Sequence, residues 1–335
     1  MHRPFLVGPQ YPFLFRSTVF EPDTAFTLTD GQVFSQLSFT NLNTYVYSAS
    51  SDVANNPDGD PSKFDSSDTS GYSIYFDGEI DRRYFRWYWG WTDNIEIQLT
   101  YRDIRFIRGN MDSTVEGFHD SFNLGNQGRE QTGQDELAIY IHDNETGENI
   151  FALTQPNDKF HQESLTLGVK INLRETSNEA ISLIFSSNYG DRYIERDVNE
   201  LEIEYQDDFK NFNDFNYGLL YSSFFGDWML HASFSIAKVG HAMFPKSPDE
   251  LYYFFLGAGW QMSANTDFIL QALEYSSPFP KDNTSTIAAD AREVTMGMRW
   301  YMGDQFAWEL GLTENQSQGP QNIDILFFSS LSTSF

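Results

Sequence analysis

Glu116, His119, Asp120 and Arg129 come nearest, in residue type and closeness, to a reactive site in this 335-residue chain. Glu116 and His119 are three apart, so a short helix places both on one face, as in a carboxylate–histidine metal site or an acid–base pair. The same spacing also suits a helix that docks over a channel mouth or into a lumen, with Phe118 and Phe122 as apolar anchors and Arg82 or Arg86 as a basic partner. His231 and Ser233, two apart on a strand, are the nearest approach to a nucleophile–base pair, and that spacing is ordinary for a polar strand face. Asp52, Asp58, Asp60, Asp65 and Asp68 concentrate acid, but the glycine and terminal glutamate of a calcium loop are missing at the required spacing. Asn144-Glu145-Thr146 matches a glycosylation sequon inside a hairpin-turn sequence, Asp143 to Asn149. No catalytic residue, metal site or cofactor is assigned on these patterns.

The chain has 48 acidic and 21 basic side chains and a net charge of −27, which excludes nucleic acid as a partner. Without cysteine, neither disulfides nor thiolate metal sites hold the fold. Aromatic residues make up 17% of the chain, while mean hydropathy is only −0.46. The richest apolar stretch, Leu251 to Trp260, is too short to cross a bilayer as a helix. Met1 is followed by His2, Arg3 and Pro4 with no apolar signal core, so the chain reads as cytoplasmic or as a mature form with a start Met added.

From about residue 160 the polarity alternates with period two. Leu165, Leu167, Val169, Ile171 and Leu173 interleave with Ser164, Thr166, Gly168, Lys170, Asn172 and Arg174. A polar break at Thr176 to Glu179 leads into a second such stretch, and the pairing recurs around Gly226-Asp227, Ala264 to Asp267 and Met302-Gly303-Asp304. With Val33 to Tyr47 first and Asn322 to Phe335 last, the pattern predicts twelve strands, both chain ends lying on the short-turn side. An even number of strands with alternately short and long connections predicts an all-β, closed antiparallel transmembrane β-barrel, with periplasmic turns and long acidic external loops.

Two further patterns point the same way. Trp87, Trp89, Trp91, Trp228, Trp260, Trp300 and Trp308 all lie near short turns, as an aromatic girdle at one membrane interface requires. Segments 48–71, 107–162 and 189–214 hold 24 of the 48 acidic residues against 7 of the 21 basic ones, a net −17, so the acidity belongs largely to the long loops. The last stretch puts Ile323, Ile325, Phe327, Leu331 and Phe335 opposite Asp324, Ser330, Ser332 and Ser334, like the C-terminal signal read by the outer-membrane assembly machinery.

If the apolar faces meet lipid, the opposite faces assign Arg86, Glu96, Arg102, Lys170, Arg174, His231, Glu274, Arg299, Glu309 and Asp324 to the interior. Both signs are present, so the set reads either as a selective charged ring or as a salt-bridge network that fills the barrel. Residues 1–31, with Pro4, Pro9, Pro12 and Pro22, do not read as a regular strand and form an extension that crosses the periplasmic mouth, enters the lumen as a plug or lies as a disordered tail.

Asp77-Gly78-Glu79-Ile80-Asp81-Arg82, the stretch Trp87 to Ile97, and Val115-Glu116-Gly117-Phe118-His119-Asp120-Ser121-Phe122 with Gly128-Arg129 resemble a bacterial family of unknown function. Gln10-Tyr11-Pro12-Phe13 and Glu274-Tyr275-Ser276-Ser277-Pro278-Phe279 extend the resemblance along the chain. It implies an outer-membrane barrel and brings no activity. The expected function is a narrow channel or passive transporter for small solutes, partly closed by the 107–162 loop. A plugged structural or docking barrel is the alternative, and a lumen or loop enzyme the weakest reading. Expected partners are outer-membrane lipid and lipopolysaccharide, the assembly machinery through the strand ending at Phe335, and a surface or periplasmic protein.

Overall fold

A computed structural model of the chain describes residues 3–10, 20–47, 72–122, 135, 137–153, 159–195, 211–240, 248–279, 289–316 and 323–335. The alternating stretches form β1 (Val33–Tyr47), β2 (Tyr72–Thr92), β3 (Ile95–Ile107), β6 (Lys159–Glu175), β7 (Glu179–Glu195), β8 (Asn211–Phe225), β9 (Trp228–Lys238), β10 (Glu250–Ser263), β11 (Thr266–Tyr275), β12 (Ala291–Met302), β13 (Phe306–Asn315) and β14 (Ile323–Ser334). Each pairs antiparallel with its neighbour, and β1 pairs with both β2 and β14. These twelve strands therefore form a closed barrel that leaves none of them with an open edge.

Short turns join the strands at one end. Gly226 and Gly303 take φ of +58° and +73° there, a left-handed conformation that disfavours a side chain. The start of β1 and the end of the chain meet at the same end, where Val33 and Phe335 exchange backbone hydrogen bonds of 2.9 Å.

The long segment 107–162 is more structured than a loop. It contains α1 (Asp112–Phe122) and the hairpin β4 (Ala138–Asp143) and β5 (Glu148–Leu153). β4 takes over the edge of β2 at Tyr72–Asp77, beyond the point where β3 has ended its pairing at Glu79. β7 continues to Glu195, into the segment expected to be loop. There the strand is held by pairing with β6, from Lys159↔Glu195 onward, and needs no apolar alternation to persist. Residues 48–71 lie outside the described residues.

The two faces differ as a lipid-facing barrel demands. Outward Leu167 and Leu256 are 58% and 48% exposed, whereas inward Lys170 is fully buried. Those exposed apolar side chains form a belt around the wall, and burial in lipid is what makes such a surface stable. At its short-turn rim, Trp87 stacks on Trp89, Trp228 on Trp260 and Trp300 on Trp308, with ring centroids 6.4, 6.0 and 4.9 Å apart. Register explains two of these pairs, since Trp228 and Trp300 sit directly opposite their partners across neighbouring strands.

Candidate functional site: an occupied lumen

Prolines at 4, 9 and 22 keep the N-terminal segment out of regular structure. Its contacts trace a path through the barrel. Arg3 lies low, beside Glu96 of β3, and its carbonyl accepts from Arg299 of β12 at 2.7 Å. Farther from the short-turn end, the Phe5 amide meets Gln271 Oε1 of β11, and the Gln10 amide donates to Glu293 Oε1 of β12 at 2.9 Å. Phe20 stacks on Tyr253 of β10 at 5.0 Å. The chain then descends, with Glu21 at Arg86 and Arg102, Asp23 at Lys170, and the Leu28 amide on Glu96 Oε2 at 3.0 Å. Residues 3–10 and 20–28 thus occupy the interior as two limbs.

Two charge clusters fasten the limbs to the wall. In the lower one, Asp23 pairs with Arg3 and with Lys170 Nζ at 3.0 Å, while Glu96 receives Lys170 at 3.0 Å and Arg3 at 2.8 Å. In the upper one, Glu21 accepts from Arg86 through both oxygens, at 2.9 and 3.0 Å, and from Arg102 at 2.9 Å. Burial alone would push both N-terminal carboxyls up. Arg86 and Arg102 hold Glu21 below the ordinary glutamate range, and Arg3 and Lys170 bring Asp23 down to about 2. Both carboxylates therefore stay ionised at neutral pH. Above these clusters apolar side chains join the lining: Phe5, Val7 and Phe20 form one core with Ile80, Ile104, Tyr253 and other inward side chains, beside buried Arg82 and Glu293. Beside the limbs lie water-sized gaps, one bordered by Glu21, Asp23, Tyr88 and Thr166 and another by Arg3, Leu6, Arg299 and Glu309.

Of the residues assigned to the interior by alternation, Arg86, Glu96, Arg102, Lys170, His231, Arg299 and Glu309 are buried inside. Arg299 is matched on the wall itself, by Glu309 at 2.6 Å. His231 Nδ1 is 2.8 Å from Ser222 Oγ of β8, which accepts the Ala25 amide at 2.8 Å, so this serine–histidine pair serves as an anchor for the N-terminal segment. Glu274 is a correction: it shares the outward face of β11 with Phe268 and Leu270 and pairs with Arg292 at 3.1 Å. Register sets it between Phe254 of β10 and Arg292 of β12, so its charge is matched on the outer face and says nothing about the lumen. Arg174 is a second correction, because the β6–β7 register slips between Asn172 and Arg174 and leaves it exposed at the turn. The side chains of Asp324 and Arg129 lie outside the described residues.

Sequence reasoning missed Arg3, Glu21, Asp23, Gln271 and Glu293 as interior residues, and named Arg82 only as a partner for the loop. Arg82 and Glu293 were within reach of the alternation that found Arg86 and Arg299. The N-terminal residues carry no periodicity, and only contact with the wall places them.

The loop motif behaves differently from both readings of it. α1 does form, with Val115 and His119 on its buried side, Glu116 half-buried and Asp120 exposed. Its attachment runs through the outward-facing row of the barrel. Glu79 of β2 accepts from the amides of Asn110 (2.6 Å) and Met111, and Asn43 of β1 donates to Asp112 Oδ1 at 2.7 Å. The helix is thus clamped to the outside of the wall, and the expected docking over the mouth or into the lumen is corrected by that register. Among the described residues no group of acidic or histidine side chains could hold a metal ion. Glu79→Ala removes a charged acceptor worth about 2 kcal/mol, so amide exchange over residues 110–122 is expected to rise roughly thirtyfold by mass spectrometry. Unchanged exchange would show that Glu79 is not the clamp.

A profile of the family described as "Protein of unknown function (DUF3187)" matches residues 3–335. The chain belongs to this family. The resemblance read from the Glu116-Gly117-Phe118-His119-Asp120 stretch is thereby borne out, and the match takes in the N-terminal segment as well as the barrel. This DUF3187 chain is also similar to the COG4313 outer membrane channel from Pseudomonas putida F1, at 9% identity and a TM-score of 0.53, over 94% of this chain and 100% of that one. It is more distantly similar to the translocator domain of autotransporter NalP from Neisseria meningitidis, at 10% identity and a TM-score of 0.45, over 92% and 90% of the two chains. The Pseudomonas putida toluene transporter TodX follows at 8% identity and a TM-score of 0.38, over 92% and 89%. The likeness to the COG4313 channel shows that the DUF3187 fold is that of an outer-membrane β-barrel. No curated protein sequence matches the chain.

Proposed function

We propose that this protein sits in the bacterial outer membrane as a passive transporter for small solutes and that its N-terminal segment is a removable plug. One observation carries the reading. Among the described residues, no backbone–backbone hydrogen bond ties residues 3–28 to a barrel strand; the first such tie is Gly31 to Gly90, at the short-turn rim. The plug can therefore leave without breaking the ladder that closes the barrel, and water entering behind it hydrates the charges it uncovers. The outward clamping of α1 takes that helix away from the lumen and supports the N-terminal segment as the gate. In the membrane, the apolar belt takes lipid and lipopolysaccharide as neighbours, and the strand ending at Phe335 is the element offered to the assembly machinery.

A tether tests the plug directly, because the chain has no cysteine to interfere. Ala25→Cys with Ser222→Cys joins plug to wall where the Ala25 amide lies 2.8 Å from Ser222 Oγ. In planar bilayers the oxidised variant is expected to stay closed, and reductant to restore intermittent openings. Openings that ignore the tether would sink the plug. A reduced protein that never conducts would favour the other reading, supported by the filled lumen, of a structural barrel whose acidic loops bind a surface or periplasmic protein.

A further inference from the structure

Four wall cations form a staircase on one side of the lumen. Arg82 and Arg86 share the inward face of β2 four residues apart, and Arg102 of β3 stands between their levels, opposite Tyr84. Lys170 of β6 pairs with Glu96, four residues nearer the short turns than Thr100, the partner of Arg86. Steps of two residues set Arg82, Arg102 and Arg86 roughly 7 Å apart along the wall, and a step of four sets Lys170 roughly 13 Å beyond Arg86. The Tyr84 ring lies within the staircase, 4.5 Å from the Arg86 guanidinium carbon and 5.9 Å from that of Arg102.

The plug supplies oxygen to every step. Arg82 donates to the carbonyls of Pro9 (3.1 Å) and Gln10 (3.2 Å) and to the Gln10 side-chain oxygen (2.7 Å). Arg86 and Arg102 share Glu21, with the Leu6 carbonyl also on Arg86 at 2.7 Å. Lys170 takes Asp23 and the Thr24 carbonyl. Neutral groups complete the wall's side: Gln36 and Ser38 at Arg86, Thr166 and Asn188 at Arg102. Glu21 is thus held by the two-pronged Arg86 guanidinium and by one N–H of Arg102, as a free carboxylate would be.

We propose that the staircase Arg82, Arg102, Arg86 and Lys170 is a track for small organic carboxylates, and that the plug occupies it as a built-in carboxylate ligand. This rests on the plugged-transporter reading and adds the class of solute: an incoming carboxylate takes over the cations that Glu21 and Asp23 leave. Transport then exchanges one set of charge-assisted hydrogen bonds for another, which avoids stranding buried cations at any step.

The test uses the full-length Glu21→Ala protein in detergent and reads the midpoint of its heat-induced mobility shift. Removing the carboxylate is expected to lower the midpoint. Acetate or succinate is expected to recover more than half of the loss, while chloride and inorganic phosphate at equal ionic strength recover less. Adding Arg102→Gln is expected to abolish the recovery. Equal recovery by chloride, or greater recovery by phosphate, would overturn the assignment to carboxylates. In bilayers, Glu21→Ala with Asp23→Ala is expected to be anion-selective and blocked by millimolar succinate, and cation selectivity would likewise overturn the track. Failure of that variant to open counts against the charges as what holds the plug in place, since the heat-shift experiment reads the carboxylate site without conduction.

Discussion

Replacing both plug carboxylates, Glu21→Ala with Asp23→Ala, is expected to raise the open probability in planar bilayers at least about a hundredfold over the wild type. Docked, the variant leaves Arg86, Arg102 and Lys170 buried with their plug-borne carboxylates gone, Lys170 keeping as its one carboxylate the Glu96 it shares with Arg3. Removing one partner of a buried pair costs about 3–5 kcal/mol, and each 1.4 kcal/mol is a factor of ten in population. Undocked, the same cations face water, so the penalty falls on the closed state alone. Even if relaxation and water recover much of it, two such losses exceed the energy needed for that shift. A folded variant that remains closed would show that apolar contacts of Phe5, Val7 and Phe20, and not the charges, hold the plug.

Leu256→Arg is expected to destabilise the barrel by about 2–4 kcal/mol in phospholipid vesicles, whereas Met262→Arg is expected to cost about 0–1 kcal/mol. Both side chains are half exposed, Leu256 on the outward row of β10 and Met262 at the irregularity between Gln261 and Ser263. They differ in depth, since Leu256 lies near the middle of the belt and Met262 lies past Trp260 at the short-turn rim. A guanidinium at mid-depth meets hydrocarbon, while one at the rim reaches headgroups and water. Equilibrium unfolding in denaturant provides the measurement. Equal costs at the two positions would contradict the placement of the belt, and with it the reading of the seven tryptophans as an interface ring.

Legibility followed periodicity. Leu165 to Arg174 showed a strand because lipid and lumen impose opposite demands on successive residues, and the same demand identified Arg86, Glu96, Arg102, Lys170, Arg299 and Glu309. Where one of the two solvents is absent the inference weakens. Glu274 is paired with Arg292 on the outer face, so its charge does not mark the lumen; Arg174 lies beyond a register slip. The residues around Glu195 continue a strand with no alternation to reveal it, held by backbone pairing to β6. The helix through Glu116 and His119 was legible as a helix, but its side of the wall depended on which face of β1 and β2 carries Asn43 and Glu79.

The opening motif thus shows the division. By itself the sequence determined a twelve-stranded barrel, its lipid and lumen faces and its tryptophan rim, because each follows from alternation between two solvents along a single strand. Only the tertiary structure decided that the lumen is occupied, that Glu21 and Asp23 complete the wall's charges, and that α1 lies outside. Those facts depend on contacts between residues far apart in the chain, Asp23 with Lys170 and Gln10 with Glu293 among them, and an irregular segment carries no local period from which such contacts can be read.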